Sequence, residues 1–545
     1  MPSWAWAIPP VLFAIHPAVS LLASNLPDAV PADALRPALA SGALGLIAFT
    51  AAWIVLRRLW KACLVACLII LVFFSYGPVY MPLKAVEILG VTLGRHRILL
   101  PALVVALALI AWRVALSPSS GRLVFPVLAL VSLAAPLPPA VQVVLYTLRA
   151  RQTSLRPSAS APAGPVLHLR VAGPAARPDI YFIILDAHAR EDVVRDYYGD
   201  TAYDFPEALR AMGFVVADEA RSNYLRTVLS VPATLNMEYL DELGIDLLDP
   251  DYQIPLTDAL AHSRTRSLLE GIGYSMYAVT SSYRPTEIVD ADHYLAPEMG
   301  ELDRLEVYWA FTNFEQLLVR QSALVALLDL QTQLDSSAAG FLAQGLDNAK
   351  AIRREIVLSA LRNLEEAPRI PGPKFYFVHI ISPHYPYLFG PSGEVTDYPI
   401  PTGNEDTLVL PGTPTWTRYR DQMEFIDDEI ARIVRGILAQ SATPPVILIH
   451  SDHGPDTGTE LAQPDSLSMH HRTAILSAAY LPTECRDDYY PSVSSVNTFR
   501  IVLNCLFDAG LPLKADRSFL DDETTQGLVL FPLPLPEDGQ DSEVP

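Results

Sequence analysis

Residues 179–188 read DIYFIILDAH, an apolar run of six residues that ends in an aspartate. An unbroken apolar run of this length is typical of a strand that is buried on both faces of a parallel sheet. A carboxylate directly after such a strand is costly to bury unless a ligand or partner uses it. Asp186 is therefore the first candidate functional residue, although a strand-end aspartate taken alone equally well caps the next helix.

Similar apolar runs recur through the rear of the chain and alternate with helical patterns. The predicted strands are 179–185, 214–217, 274–280, 375–381, 446–450 and 475–481, and the predicted helices are 203–212, 264–271, 323–334, 348–364, 418–438 and 497–506. This alternation predicts an α/β domain with a mostly parallel sheet between helices. In such sheets, ligands bind beyond the carboxyl ends of the strands.

The first 150 residues differ in character from the rest of the chain. They hold three acidic and ten basic residues, whereas the whole chain has a net charge of −21. Five apolar stretches are long enough to span a bilayer as helices. They lie near 4–22, 38–56, 62–81, 98–116 and 123–148. We expect a transmembrane region over 1–148, a linker over 149–177, a catalytic domain over 178–531 and an acidic, Pro-rich tail over 532–545.

Charge alone gives conflicting signals for the orientation of the membrane region. Counted from Arg57, Arg58 and Lys61 as a cytoplasmic loop, the rear domain is expected inside after five spans, while basic residues near other spans compete with that signal. The chemistry of the rear domain favours export instead. Cys485 and Cys505 are compatible either with a disulfide or with two buried thiols. An acidic rear without basic runs argues against a nucleic-acid partner.

Three predicted strands bring metal-ligating residue types to one edge of the sheet. The strand at 446–450 continues into Ser-Asp-His-Gly, which contains Asp452 and His453. The strand at 375–381 carries His379 and leads into PHYPY, which contains His384. Carboxylate and imidazole ligands together suit one divalent ion such as Zn or Mn. His188, two residues after Asp186, is a spare ligand candidate.

The residues at these strand ends resemble the sulfatase-like branch of the alkaline phosphatase superfamily. The resemblance rests on the first strand with Asp186, the segment SNYLRTVLSVPATL at 222–235 and the late Ser-Asp-His-Gly. Apolar spans ahead of such a domain are similar to those of lipoteichoic acid synthases and lipid A phosphoethanolamine transferases. The resemblance implies a nucleophilic Thr227 and one divalent ion (Zn, Mn or Ca) held by Asp186, Thr227, Asp452 and His453.

Further roles follow from the same resemblance. His384 is expected to protonate the leaving oxygen or to position the phosphoryl group, and His470 or His471 in SMHHRT is expected to bind substrate. Ser230 is the alternative nucleophile. Thr234 stands where a sulfatase requires Arg, which disfavours sulfatase activity and favours an unmodified threonine.

The resemblance thus implies a membrane-anchored, metal-dependent phosphotransferase or hydrolase with a covalent threonine intermediate. Its expected substrates are phosphate or sulfate esters of envelope lipids or glycans. Its expected place is a bacterial inner membrane, multi-pass, with the catalytic domain on the periplasmic or extracellular side. The alternative from another class is a catalytically inactive protein of the sulfatase fold that has a binding or assembly role in the membrane.

Overall fold

A computed structural model of the chain describes residues 3–84, 86–88, 91–92, 94–118, 121, 123–155, 169–171, 177–297, 310–327, 340–398, 407–458, 467–524 and 527–533. They form two compact units. The membrane unit comprises Met1–Ala150 and Leu302–Ile352, and the sheet unit comprises Arg151–Glu301 and Arg353–Pro545. Of the described residues inserted in the sequence of the sheet unit, 310–327 and 340–352 cluster with the membrane unit.

Five helical spans in the membrane unit are long and apolar enough to cross a bilayer, in agreement with the sequence. The helices are α1 (Ile8–Ser24), α2 (Leu35–Leu56), α3 (Leu59–Lys84), α4 (His96–Leu116), α5 (Val124–Ala134) and α6 (Leu137–Leu155). The fifth span runs through α5 and α6 over Val124–Gln152. A short hairpin of β1 (Glu87–Ile88) and β2 (Val91–Thr92) lies between α3 and α4.

The inserted segment returns to one end of these membrane helices. Its helix α11 (Asn313–Gln321) buries Phe314 and Leu318 in an apolar cluster with residues of α1. Arg36, near the start of α2, forms an ion pair with Glu315. The peptide N–H of Ala323 donates to the carbonyl of Phe73 in α3 (2.8 Å). The end of α1 and the start of α2 therefore lie at the end of the bundle that contacts residues 310–327.

The order of the spans corrects the expected orientation. Arg57 and Arg58 lie between α2 and α3, and Lys61 donates to the carbonyl of Ala115 at the end of α4 (2.6 Å). The connection from α2 to α3 and the end of α4 therefore lie at the same end of the bundle. If that end faces the cytoplasm, α1 starts in the cytoplasm and the fifth span ends on the opposite side. The expectation that a cytoplasmic loop at 57–61 leaves the rear domain inside is therefore wrong, because it miscounts the spans.

The sheet unit is built on a seven-stranded sheet with the order β4–β9–β8–β3–β7–β5–β6. Its strands are β3 (Ile180–Leu185), β4 (Val215–Val216), β5 (Ser275–Val279), β6 (His293–Leu295), β7 (Lys374–Ile380), β8 (Val446–His450) and β9 (Ser477–Tyr480). Strand β3 is parallel to β7 and β8, and β5 is parallel to β6 and β7. Strand β9 is antiparallel to β8 and β4. The predicted α/β class with a mostly parallel sheet is confirmed.

Helices cover both faces of the sheet. The helices after α6, apart from α11, are α7 (Phe205–Ala211), α8 (Thr227–Asn236), α9 (Gln253–Ala261), α10 (Arg264–Gly271), α12 (Gly340–Glu366), α13 (Pro414–Gln440), α14 (Leu467–Thr473) and α15 (Ser495–Phe507). Alternate residues of β3 enter opposite apolar clusters, with Tyr181 on the side of α12 and α13 and Phe182 on the side of α10 and α15. Both faces of β3 are therefore buried, as its unbroken apolar run predicts.

The remaining features lie towards the C-terminus. A hairpin of β10 (Phe519–Thr524) and β11 (Gly527–Pro532) follows α15. Cys485 and Cys505 form a disulfide, with Cα atoms 5.8 Å apart. Cys63 and Cys67 are buried free thiols in α3. The predicted tail beyond residue 533, most of the predicted linker at 149–177 and the later part of the predicted helix at 323–334 lie outside the described residues.

Candidate functional site

The register of the central strands brings the predicted ligands to one edge of the sheet. Ile184 of β3 lies opposite His379 of β7 and His450 of β8. Asp186 follows the end of β3 by one residue, and Asp452 follows the end of β8 by two. β3 and β8 are parallel and end at the same edge of the sheet. The residues that follow them therefore lie close together, and the carboxylates of Asp186 and Asp452 converge at that edge.

Four buried side chains meet at this edge. His379 Nε2 lies 3.4 Å from Asp186 Oδ2. His453 Nε2 lies 3.7 Å from Asp186 Oδ1 and 3.5 Å from Asp452 Oδ2. Ligands at about 2.1 Å from one tetrahedral ion are separated by about 3.4 Å. One ligand atom from each of Asp186, His379 and Asp452 lies within 4.8 Å of the others, so a single ion is within reach of all three.

Orphaned polar atoms test whether this group fits a cation. Asp186 Oδ1, Asp452 Oδ2 and His379 Nε2 are buried without a hydrogen-bond partner. Buried polar atoms are almost always satisfied, so three unsatisfied atoms at one point call for an additional group. Two carboxylates and imidazole nitrogen form a donor set suited to a divalent ion such as Zn or Mn. The residues present therefore fit the predicted metal.

The hydrogen bond at Nδ1 of His453 and of His379 determines the tautomer of each ring. The Nδ1–H of His453 donates to the carbonyl of Gly454 (2.9 Å). Nδ1 of His379 lies 2.9 Å from the hydroxyl of Thr286, which itself donates to the carbonyl of Tyr283 (3.1 Å). With the protons on Nδ1, both Nε2 atoms present lone pairs to the two carboxylates.

The electrostatics of Asp186 and His453 match these roles. Burial alone would raise the pKa of Asp186, but His384, His379 and His453 together lower that pKa below its ordinary value. Burial lowers the pKa of His453, and the neighbouring Arg472 lowers it further. Asp186 is therefore charged and His453 neutral at neutral pH, which are the states in which carboxylates and imidazoles bind metal.

Thr227 lies beside this group at the start of a helix. It is the first residue of α8, and the extended residue before it, Arg226, occupies the N-cap position. Its Oγ1 lies 3.4 Å from His453 Nε2. The first N–H groups of an α-helix have no intrahelical partners and favour an anion. A phosphoryl group in contact with the Thr227 hydroxyl would therefore also meet the N-terminus of α8.

The alternative nucleophile and the spare ligand are both engaged elsewhere. Ser230 is 1% exposed, and its hydroxyl donates to the carbonyl of Tyr224 (2.9 Å). Nδ1–H of His188 donates to the carbonyl of Ala189 (2.9 Å), and its Nε2 lies 2.8 Å from Asp427 Oδ1. Asp186, His379, Asp452 and His453 are called the metal-facing group below. Ser230 and His188 use their polar side-chain atoms in the bonds just described, so neither offers a ligand atom to this group.

His384 stands at the half-buried side of the site. Its ring centroid lies 6.3 Å from that of His453, and its backbone N–H donates to the carbonyl of Asp186 (3.1 Å). Nδ1–H donates to the carbonyl of Tyr385 (2.7 Å). That bond leaves Nε2 to accept or donate a proton, as the predicted role in protonation requires.

The two late histidines differ in their surroundings. His470 is half-buried, and its Nε2 lies 3.7 Å from Asp192 Oδ2 and 3.5 Å from the guanidinium of Arg190. His471 is 3% exposed, and its ring centroid lies 3.9 Å from that of Tyr197. Of the two predicted substrate-binding residues, His470 is the one whose side chain reaches solvent.

Helix α14 packs directly on the Ser-Asp-His-Gly segment. The peptide N–H of Gly454 donates to the carbonyl of Arg472 (2.7 Å), and Arg472 donates back to the carbonyl of Gly454 (2.9 Å). A Cβ at position 454 would lie 2.1 Å from the carbonyl oxygen of His471. This close approach requires glycine and places α14 next to the predicted ligand His453.

His379 is the residue that sequence reasoning left out of its ligand set. The sequence predicts His379 at the strand edge, but a position within an apolar strand is equally typical of a core histidine. The signal that identifies it is its pairing opposite Ile184 in the adjacent strand, two residues before Asp186.

Comparisons with known proteins give structural likenesses only. No protein-family model matches the sequence, and no curated protein does. Lipooligosaccharide phosphoethanolamine transferase A from Neisseria meningitidis matches with 14% identity, 92% of this chain and 95% of that chain covered, and a TM-score of 0.38. The zinc complex of the C-terminal periplasmic domain of EcEptC from Escherichia coli matches with 13% identity, 67% and 96% covered, and a TM-score of 0.39.

A 2-O GAG sulfatase also matches, with 11% identity, 63% of this chain and 77% of that chain covered, and a TM-score of 0.37. These proteins are of the two kinds that the sequence motifs resemble. At this level of similarity they add no argument about activity, and the function is argued below from the residues of this chain.

Proposed function

We propose that the protein is a membrane-anchored, metal-dependent enzyme that transfers or hydrolyses phosphoryl head groups through a covalent intermediate on Thr227. The observation that carries the proposal is the buried group of Asp186, His379, Asp452 and His453, which holds three unsatisfied ligand atoms beside the hydroxyl of Thr227. Nothing in an apolar core requires two carboxylates at one point, whereas a divalent cation does.

Each residue of the site has a proposed role in the reaction. Asp186, Asp452 and His453 would hold the ion with the hydroxyl of Thr227, and His379 lies within reach as a further ligand. When bound, the ion lowers the pKa of the hydroxyl and offsets charge on the phosphoryl oxygens. The N–H groups at the start of α8 orient the same oxygens.

The first half-reaction exchanges one P–O bond for another. Oγ1 of Thr227 bonds to phosphorus and loses its proton to solvent, while the bond from phosphorus to the leaving oxygen breaks. Protonated Nε2 of His384 gives its proton to that leaving oxygen. Phosphothreonine at 227 and the protonated leaving group are the products.

The second half-reaction regenerates the enzyme. Neutral His384 takes the proton of an acceptor hydroxyl, from a sugar or from water, as the acceptor oxygen bonds to phosphorus. The bond between phosphorus and Oγ1 breaks, and Thr227 recovers a proton from solvent. The identity of the acceptor decides between transferase and hydrolase, and a lipid or glycan hydroxyl is our proposed acceptor.

The membrane unit supports the proposed location in a bacterial inner membrane with an exported catalytic domain. If the loop with Arg57 and Arg58 lies in the cytoplasm, five spans start in the cytoplasm and the chain leaves the fifth on the opposite side of the membrane. The disulfide between Cys485 and Cys505 is of the kind that persists in oxidising compartments. Tethering to the membrane raises the effective concentration of a lipid-borne donor.

The test is mass spectrometry of the peptide containing Thr227 after the full chain has been incubated with bacterial membrane lipids and Mn²⁺ or Zn²⁺. We expect a phosphoryl-containing adduct on Thr227 in the wild type and in Ser230→Ala, and none in Thr227→Ala. Recovery of the adduct on Ser230 alone, or full turnover by Thr227→Ala, contradicts the proposed nucleophile.

A further inference from the structure

A buried acid–base pair lies behind the loop that carries Asp186. His188 is fully buried, and Asp427 of α13 is 5% exposed. Nε2 of His188 lies 2.8 Å from Asp427 Oδ1. Nδ1 of the same ring lies 2.9 Å from the carbonyl oxygen of Ala189, so both ring nitrogens are held. The pair therefore fixes the orientation of the imidazole ring.

The residue between Asp186 and His188 has a strained backbone. Ala187 adopts a φ of 61°, in the left-handed region that disfavours any residue with a Cβ. Such a conformation persists only where the surrounding contacts hold it. The peptide N–H of Ala187 donates to Asp452 Oδ1 (3.2 Å). The strained residue thus connects the loops that carry the two predicted carboxylate ligands.

Helix α13 supplies the contacts on the other side of this loop. The hydroxyl of Tyr419 donates to the carbonyl of Ala187 and accepts from the N–H of Ala189, at 2.9 Å in each case. The N–H of His188 donates to the hydroxyl of Ser451 (2.8 Å). Three successive residues after Asp186 are therefore held by side chains from other elements.

The stability of the fold does not by itself explain why His188 and Asp427 are buried together. Asp427 Oδ2 is buried without a hydrogen-bond partner, and burial raises the pKa of this carboxyl group against the opposing effect of His188. Replacing a buried ion pair with apolar residues of similar volume is often neutral or stabilising. A role in orienting the loop accounts for a buried carboxylate that packing alone does not require.

We propose that Asp427, acting through His188, and Tyr419, acting through the backbone of Ala187 and Ala189, are positioning residues for the metal-facing group. They hold the loop at 186–189 so that the carboxylate of Asp186 and the N–H of Ala187 both face Asp452. The inference rests on the proposed function and deepens it, because it assigns to α13 the residues that set metal affinity. Partners that orient metal ligands typically change affinity by about 10–100-fold when they are mutated.

The test measures metal affinity of the full chain in detergent. Asp427→Asn keeps the shape of the side chain and removes its charge, and Tyr419→Phe removes a single hydroxyl. Asp421→Asn is the matched control, because Asp421 lies on the same helix, is 8% exposed and accepts from Tyr398 rather than from the loop (2.8 Å). The Kd for Zn²⁺ and Mn²⁺ is measured by competition with a chelating dye, alongside kcat and KM on a phosphate ester and the Tm of the metal-free chain.

We expect the Kd for the metal to rise by about 10–100-fold in Asp427→Asn and in Tyr419→Phe, with kcat reduced and KM for the ester unchanged. Asp421→Asn should match the wild type. If Asp427→Asn does not fold, Tyr419→Phe carries the test alone.

An unchanged metal Kd in a folded variant overturns the positioning role, even if its Tm is lower, because a merely structural role moves Tm and not Kd. A wild type that binds neither ion overturns the proposed function together with this inference. A wild type that binds metal normally, with variants that bind equally well, overturns the inference alone.

Discussion

Protonation of His471 is expected to destabilise the folded state in acid. The size of this loss in unfolding free energy follows from the structure. The side chain is 3% exposed, and Nδ1 is buried without a hydrogen-bond partner. Burial, and secondarily the neighbouring His470, lower the pKa of His471 from 6.5 to about 4. The unfolded chain therefore binds a proton near pH 6.5 that the folded chain refuses until near pH 4.

The sign of the effect follows from this difference. Stability is fully retained above pH 6.5 and is lost as the pH falls towards 4, because the unfolded state binds more protons in that window. The full separation of the two pKa values is worth about 3 kcal/mol, and the part lost between pH 7.5 and pH 5 is about 2 kcal/mol.

The assay compares the wild type with His471→Phe, which keeps a ring against Tyr197 and cannot titrate. Chemical unfolding of the full chain in detergent is followed at pH 7.5 and at pH 5. We expect the wild type to lose about 2 kcal/mol more than His471→Phe over this interval. Equal losses in the two proteins would refute the reasoning, since they would show that His471 titrates alike in the folded and unfolded chains.

Three further predictions concern the site and its surroundings. Gly454→Ala should lower the unfolding free energy by about 1–3 kcal/mol, because its Cβ would meet the carbonyl of His471; an unchanged Tm would contradict the close packing. His384→Gln should lower kcat by about 10²–10⁴-fold with little change in metal Kd; a normal kcat in this variant would exclude the proton-transfer role. The variant Cys485→Ser with Cys505→Ser should lower the unfolding free energy by about 3 kcal/mol, since the disulfide closes a loop of 20 residues; equal stability with and without reductant in the wild type would argue against the bond.

Much of the sheet follows from local sequence, because the strands that build its centre are continuous apolar runs. The six predicted strands correspond to β3, β4, β5, β7, β8 and β9. The short strand β6 was missed, because only three residues at the edge of the sheet form it and two of them, His293 and Tyr294, are exposed. Apolar patterning does not identify a strand that has so little to bury.

The position of the inserted segment was beyond local sequence. Phe314 and Leu318 are spaced like the apolar residues of any amphipathic helix, so the pattern does not say which surface covers them. Their burial against α1 and the ion pair from Arg36 to Glu315 arise only once the chain is folded. The same limit applies to His379, whose contact with Asp186 depends on the pairing of β3 with β7.

The candidate site was predictable where one short segment carries several chemical groups. Ser-Asp-His-Gly places Asp452 and His453 side by side, and the structure brings both next to Asp186 and brings His453 next to Thr227. The choice between His470 and His471 was not predictable, because adjacent residues of one helix face different surroundings only after α14 has packed. The pair of His188 and Asp427 also joins distant segments, and no local pattern marks it.

The number of divalent ions bound by the purified full chain tests the central claim most directly. Metal content is measured by mass spectrometry after equilibration with Mn²⁺ or Zn²⁺ and removal of free ion, for the wild type, Asp452→Asn and the control Asp421→Asn. We predict one tightly held ion per chain in the wild type and in the control, and its loss in Asp452→Asn. A wild type without bound metal, or an Asp452→Asn variant that retains a full equivalent, would contradict the assignment of the buried group between β3 and β8 as a metal centre.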